Sequence, residues 1–281
     1  MRSPHRGVIG ALLALIVAAA GDAAAQTSVL QRYIRPPTVE WRLPGRLREI
    51  SGLAMTPDDR LFAHDDEEAV IYEIDYRGGR LVKAFAMGEP TAQGDFEGIA
   101  YADGRFYLTT SNGRLYESSE GRDGERMLFN TYGTGVGNAC EVEGLAFEPS
   151  DRTLLLLCKE AREKRLEDHV AIFRWSLDRR AMADDSLLLY PMSAFTEPID
   201  EKNFHPSGLE RHPTAGTYVI VAAREEAVAE VSPNGEVVRV MKLPRGQHRQ
   251  AEGITFSSID TLFISDEGGS GRSRLVLYPS R

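Results

Sequence analysis

The 281-residue chain has few cysteines, an excess of acid over base and little long apolar sequence. It contains two cysteines, and 42 acidic residues outnumber 33 basic ones, for a formal net charge of -9. No Cys/His cluster has zinc-like spacing. The acidic balance argues against non-specific binding to nucleic acid, gives no support for docking on an anionic membrane, and is compatible with cationic ligands.

One stretch alone is strongly apolar, from Val8 to Ala20, and it is short for a membrane span, which needs about 20 residues. Basic residues precede it, and Ala23–Ala25 offers a small-residue cleavage site. Residues 1–25 are therefore predicted to be a secretory signal peptide, with an uncleaved anchor as the alternative. The predicted location is periplasmic or secreted, with no transmembrane span after cleavage.

The two cysteines, Cys140 and Cys158, suit that location. In an oxidising compartment an even pair suggests a disulfide. They flank one copy of a repeated motif on two strands that we expect to be adjacent and antiparallel, where one residue of register decides whether they meet. Two buried free thiols are the alternative.

The dominant pattern in the chain is a short motif that occurs five times. An acidic residue or serine precedes a glycine and then an apolar residue, and the glycines are 46, 46, 64 and 45 residues apart; they are Gly52, Gly98, Gly144, Gly208 and Gly253. Each motif is followed by short apolar runs and tight turns, as in a blade of four strands. A period in this range predicts an all-β propeller of five four-stranded blades. Six blades are the alternative.

The rest of the chain fits one ring. Residues 26–37 contain Pro36-Pro37 and are interpreted as an N-terminal arm, and 38–281 as a single propeller domain. The fifth unit lacks a strand, which the isolated strand around Trp41 can supply, so that the ring closes and no sheet edge is left exposed. The charged segment from Lys159 to Asp168 largely explains the interval of 64 residues. The glycines are expected where inner strands crowd the axis.

Polar residues are predicted to converge on one mouth of the ring, because the first strand of each unit starts there and the second returns there. The opening set is Ser51, Glu97, Glu143, Ser207 and Glu252; the closing set includes His64-Asp65-Asp66, Ser111-Asn112, Lys159-Glu160, Arg224-Glu225 and Asp266-Glu267. Oxygen donors of this kind suit Ca2+. The predicted metal ligands are Glu97, Glu143 and Glu252, followed by Asp266, Asn112 and Asp65.

A structural explanation of the same pattern stays open. The glutamates could recur because they accept hydrogen bonds from backbone N–H groups of the neighbouring blade, and Lys159 and Arg224 could neutralise them without a metal. His64 and His205 lie near this mouth and could act as acid or base, although a local hydrogen bond is the commoner role. No G-x-S-x-G motif and no Ser-His-Asp arrangement is recognisable.

The repeated stretches resemble the SdiA-regulated (YjiK-like) family of bacterial envelope propellers. The likeness covers nearly all of 38–281, and the residues that carry it run from Asp95 to Tyr101, from Glu141 to Phe147, from His205 to Leu209, from Glu252 to Phe256 and from Leu262 to Glu267. A weaker likeness reaches gluconolactonase, regucalcin and esterase-like phytase propellers, some of which bind a divalent cation on the axis. The resemblance implies a propeller fold and an envelope location more than an activity.

Two functions follow as hypotheses. The first is a binding protein that holds a small molecule or an envelope protein at its mouth, with Ca2+ as a candidate cofactor. The second is a metal-dependent hydrolase of a lactone or phosphoester, because a cation with open coordination positions can activate water. A propeller fold does not decide between them.

Overall fold

The computed structural model describes residues 27–35 and 39–281, and these contain five sheets arranged as a ring of five blades. The predicted signal peptide lies outside the described residues. Blades 1 and 2 consist of β2 (Ile50–Met55), β3 (Leu61–Asp65), β4 (Val70–Asp75) and β5 (Arg80–Met87), and of β6 (Phe96–Ala102), β7 (Arg105–Thr110), β8 (Arg114–Ser119) and β10 (Phe129–Gly133). Blade 3 consists of β11 (Cys140–Glu148), β12 (Thr153–Ala161), β13 (His169–Ser176) and β14 (Ala181–Pro191). Blade 4 consists of β15 (Gly208–Arg211), β16 (Tyr218–Ala222), β17 (Ala227–Val231) and β18 (Val237–Lys242).

Blade 5 is assembled from both ends of the chain. It contains β19 (Ala251–Phe256), β20 (Thr261–Asp266), β21 (Arg274–Pro279) and, as its outer strand, β1 (Val39–Arg42). The strands β1 and β21 are antiparallel, with Trp41 opposite Leu275. The closing strand and the five-blade count predicted from the sequence are thus confirmed, and the described residues hold no sixth blade.

Two details go beyond the sequence interpretation. Just before the fourth strand of blade 2, the chain forms the short strand β9 (Arg126–Met127), which pairs in parallel with β5 of blade 1. The interval of 64 residues contains a second insertion, in which helix α2 (Ser193–Thr196) is followed by a 3-10 turn (Glu197–Ile199). Phe195 and Phe204 of this insertion are fully buried beside blade 4.

The glycines of the repeat lie where the inner strands of neighbouring blades come closest. A Cβ atom on Gly98 would lie 2.6 Å from the backbone nitrogen of Leu145 in the next blade, and one on Gly208 would lie 2.5 Å from the carbonyl oxygen of Glu252. No side chain fits at those distances, so glycine is required by close backbone approach. The expected crowding at the axis is confirmed. A void of only about 10 Å3 remains between the glycines.

The segment before β1 packs against the ring. It includes helix α1 (Leu30–Tyr33), and Leu30 and Tyr33 are fully buried against blades 4 and 5. The Ser28 hydroxyl donates a hydrogen bond to Glu230 at 2.6 Å, and the backbone N–H of Val29 donates to the same carboxylate at 2.8 Å. These contacts cover the buried carboxylate of Glu230 with donors.

Two further features bear on the environment of the protein. Cys140 and Cys158 form a disulfide between β11 and β12, with Cα atoms 5.7 Å apart. Among the described residues, no helix has the length and apolar character needed to cross a membrane. Short 3-10 turns at Gly45–Leu47, Val136–Asn138 and Lys164–Leu166 complete the helical elements.

Candidate functional site

Beta-bulges set the direction of the repeated polar residues. In blade 1 the ladder pairs Ile50 with Asp65 and Gly52 with His64, which leaves Ser51 as an extra residue on β2. The same shift occurs in three other blades, where the extra residues are Glu97, Glu143 and Glu252. A bulge of this kind bends the strand and re-aims the extra side chain. Three glutamates are therefore displaced from the ladder at equivalent points of the ring.

The three glutamates line one cavity, which we call the acidic mouth. Its volume is about 160 Å3, and its lining is Glu49, Ile50, Ser51, Asp66, Asp95, Glu97, Glu143, Lys159, Glu252 and Glu267. Seven of these ten residues are carboxylic acids, and Lys159 is the one basic residue among them. The cavity is therefore a site of strong negative potential when its acids are ionised.

Burial and mutual repulsion keep these carboxyls from ionising at their ordinary pH. Burial, followed by the charge of Glu143, raises the pKa of Glu252 to about 8. Burial also raises the pKa of Glu97, and the charges of Glu143 and Asp95 raise it further. Burial, with the charges of Asp65 and Glu49, raises the pKa of Asp66 to about 6. Like charges that share a buried site disfavour ionisation in this way.

Lys159 neutralises one glutamate of the mouth. Its Nζ atom lies 2.5 Å from Oε1 of Glu143, and only 3% of the surface of Glu143 is exposed. Burial raises the pKa of Glu143, and the Lys159 ammonium opposes that shift. Burial favours the neutral amine of Lys159 and so lowers its pKa. The hydrogen bond and the charge of Glu143, with the charges of Glu252 and Glu97, act in the opposite direction, and the net result is a raised pKa of Lys159. Glu143 therefore has a direct basic partner, whereas no basic side chain of the described residues forms an ion pair with Glu97 or Glu252.

The structural explanation of the repeated glutamates required backbone donors. Among the described residues, Glu143 accepts its hydrogen bond from the Lys159 side chain, and no backbone N–H donates to the side chains of Glu97 or Glu252. The serine of blade 4 does have the structural role: Ser207 donates to the carbonyl of Ala251 at 2.6 Å and accepts from the N–H of Ala223 at 3.1 Å. The glutamates are thus left with acceptor capacity directed at the cavity.

The other sequence-predicted ligands lie outside the lining of the mouth. Asp266 is buried and binds His248 Nδ1 at 2.8 Å and the backbone N–H of Gln250 at 3.1 Å. Asn112 accepts hydrogen bonds from Thr110 and Arg114 within its own turn. Asp65 accepts from the backbone N–H groups of Glu67 and Glu68. Each of these side chains thus accepts hydrogen bonds from local donors.

The basic and histidine candidates also have local partners. Arg224 is exposed and lies 3.5 Å from Glu160, so it does not neutralise the mouth. His205 contacts Glu225 through Nδ1 at 2.6 Å. His64 is fully buried, which lowers its pKa to about 4, and its Nδ1 atom lies 2.9 Å from the carbonyl oxygen of Asp65. His64 is therefore neutral at physiological pH.

Two lining residues, Glu49 and Asp95, were not singled out from the sequence. Each stands two positions before a bulged residue, Ser51 and Glu97 respectively. Both acids directly precede the inner strand of their blade, and this place beside the strand start was the available signal. In blades 1 and 5 the cavity takes Asp66 and Glu267, because the residues before them, Asp65 and Asp266, are paired within the ladder, whereas blade 3 contributes Lys159.

The SdiA-regulated family model matches residues 29–270. The chain belongs to the SdiA-regulated family. No curated protein matches the chain. The match spans all five blades and includes the segment that carries α1.

Solved structures of similar fold include several propeller proteins. Glutaminyl cyclase of Myxococcus xanthus is 15% identical, with a TM-score of 0.57 over 86% of this chain and 94% of its own. The PQQ-bound aldose sugar dehydrogenase of Streptomyces coelicolor is 17% identical, with a TM-score of 0.57 over 88% of this chain and 100% of its own. At such low identity the likeness concerns the fold alone.

Proposed function

We propose that this member of the SdiA-regulated family is a binding protein of the bacterial envelope whose acidic mouth takes a cation, with Ca2+ as the first candidate. The observation that carries the proposal is the convergence of three bulged glutamates on one cavity that holds a single lysine. Buried carboxylates require a counter-charge or a proton. Lys159 pairs directly with Glu143 and acts on Glu97 and Glu252 only through its charge, and a bound cation would supply the counter-charge that these two lack at close range.

The donor chemistry suits a hard cation. Ca2+ accepts six to eight oxygen ligands in flexible geometry, and Glu97, Glu143 and Glu252 would hold it. The described residues, however, contain no group of three or more His, Cys, Asp or Glu side chains placed as a ready metal site. Binding would therefore require the carboxyls to lose their protons, and so to compete with the raised pKa of Glu252.

The location is part of the proposal. Its support is the signal-like sequence of residues 1–25 together with the disulfide, since disulfides persist in oxidising compartments. For the hydrolase alternative the described residues offer no separate observation, such as a nucleophile beside a base. Binding is consequently the function that the geometry favours.

The test is the melting temperature of the mature protein after chelation and after addition of Ca2+, Mg2+ or Mn2+. A ligand at a hundred times its Kd stabilises the native state by about 2.7 kcal/mol. We expect Ca2+ to raise the melting temperature, more at pH 8 than at pH 6 because protons must leave the carboxyls first. The variant carrying Glu97→Gln, Glu143→Gln and Glu252→Gln should lose the response.

The matched control is Glu236→Gln, which removes an exposed carboxylate outside the mouth and should keep the full response. Absence of any metal effect on the wild-type protein would refute the calcium proposal. An equal effect on the wild-type protein and the triple variant would place the cation elsewhere.

A further inference from the structure

A second and larger cavity opens at the opposite mouth of the ring. Its volume is about 500 Å3, and it lies where the inner strands end. Side chains from several blades contribute apolar walls that include Met55, Tyr101, Phe147 and Phe256, and the charged residues of the lining are Asp103, Glu210 and Arg211. Cavities of about 300–1,000 Å3 with mainly apolar walls and few polar groups are typical small-molecule sites. We call this cavity the lower chamber.

Glu210 is the exceptional residue of the lower chamber. It stands two positions after the glycine of its repeat, where the other four units have small residues: Ala54, Ala100, Ala146 and Thr255. A packing role does not explain a carboxyl group at a position that is otherwise small. The departure of one blade from the repeat therefore marks a specific group on the wall of the chamber.

The carboxyl group of Glu210 has only neutral partners. Its Oε1 atom accepts a hydrogen bond from the backbone N–H of Arg211 at 2.7 Å, and Oε2 accepts from the Thr255 hydroxyl at 3.0 Å. The guanidinium of Arg211 is bound to Glu148, with Nε 3.0 Å from that carboxylate. Burial raises the pKa of Glu210 to about 7. The charge of Arg211 opposes this shift, but no basic side chain of the described residues forms an ion pair with the Glu210 carboxyl, which is held in place by neutral donors.

The lower chamber is separate from the acidic mouth. The inner strands meet between the two cavities, and the void among their glycines is about 10 Å3. That is near the smallest volume that holds one water molecule. A ligand in one cavity therefore does not reach the other through the axis.

We propose that the lower chamber binds an apolar amine. Its aromatic or aliphatic body would lie against Met55, Phe147 and the neighbouring apolar wall, and its ammonium group would pair with Glu210. The apolar lining supplies the burial of hydrophobic surface, and the ammonium supplies a directly paired counter-charge for the carboxyl, as a charge-assisted hydrogen bond. This site is independent of the cation proposed for the acidic mouth.

The test uses dansylcadaverine, a primary amine whose fluorescence rises in apolar surroundings, and N-pentyl dansylamide, which lacks the amine. We expect dansylcadaverine to bind the wild-type protein and Glu210→Gln to weaken it by roughly tenfold or more, since a charge-assisted hydrogen bond is lost. The neutral analogue should bind both proteins equally weakly, which also shows that the variant retains its chamber. Met55→Trp, which fills the chamber, should weaken both probes.

Two controls assign the site. Binding of dansylcadaverine should survive Glu97→Gln combined with Glu252→Gln, because those residues line the other mouth. Loss of binding in that double variant would move the amine to the acidic mouth and overturn the proposal. Equal affinity of the wild-type protein and Glu210→Gln for dansylcadaverine would overturn it as well, and so would binding that Met55→Trp leaves unchanged.

Discussion

The two mouths of the propeller are built by opposite uses of the same repeat. At the acidic mouth, three blades place a glutamate at the same bulged position, so that symmetry concentrates charge around the axis. At the lower chamber most lining residues are apolar or small, and at the position two after the repeat glycine one blade departs from the others with Glu210. The repeated glutamates therefore give the acidic mouth a negative electrostatic potential. In the lower chamber, the single carboxyl of Glu210 is the group that we propose to bind the ligand.

The acidic mouth and the lower chamber are separate cavities because the repeat glycines let the inner strands meet between them. Gly98→Ala is expected to have the largest effect, a loss of about 3 kcal/mol of unfolding free energy, because its Cβ atom would lie 2.6 Å from the Leu145 backbone. Chemical denaturation measures the loss. Gly133→Ala is the control, since a Cβ atom there has no neighbour within 4 Å. Equal stability of the two variants would contradict the close approach at the axis.

The next largest effect on stability concerns Lys159, the basic residue of the acidic mouth. Lys159→Met should destabilise the protein by about 1–3 kcal/mol at pH 8, because it leaves Glu143 buried without a partner. The loss should be smaller at pH 6, where the Glu143 carboxyl can take a proton instead. Arg224→Met removes an exposed pair and should change stability by less than about 0.5 kcal/mol. Similar losses in both variants would argue against the pairing.

The smallest effect is a pH-dependent change in stability, which should differ between a carboxyl of the acidic mouth and one of the lower chamber. The folded-state pKa of Glu252 is about 8, above the ordinary value near 4.5, so the native state binds more protons than the unfolded state between these values. Its contribution to stability is therefore present at low pH and lost as the pH rises through 8. Glu252→Gln should be more stable than the wild type by on the order of 1–2 kcal/mol above pH 8, and equal to it near pH 4.

Glu210→Gln provides the comparison for the lower chamber. Its folded-state pKa is about 7, so the gain in stability from this substitution should reach its full size at a lower pH than that from Glu252→Gln. Thermal unfolding across pH 4–9 measures both curves. Coincident curves would show that the two carboxyls do not differ in environment as described.

Much of the architecture could be predicted from the residues alone. The spacing of Gly52, Gly98, Gly144, Gly208 and Gly253 indicated five blades, and the isolated strand around Trp41 indicated how the ring closes. Both inferences rest on local patterns: turn residues end strands, and alternation of apolar residues marks their faces. The parallel pairing of β9 (Arg126–Met127) with β5 of blade 1 was not predicted, because pairing between blades leaves no local pattern in so short a strand.

The sequence by itself determined that a ring would form and that its repeated glutamates would stand at strand starts, because both follow from periodicity along the chain. The tertiary structure decided which of the acids predicted at this mouth face its cavity and which bind local donors instead. A bulge of one residue brings Glu97, Glu143 and Glu252 to the acidic mouth, while Asp65 and Asp266 bind local donors. The lower chamber, too, exists only once five strand ends meet, since its wall is shared by residues up to about 200 positions apart.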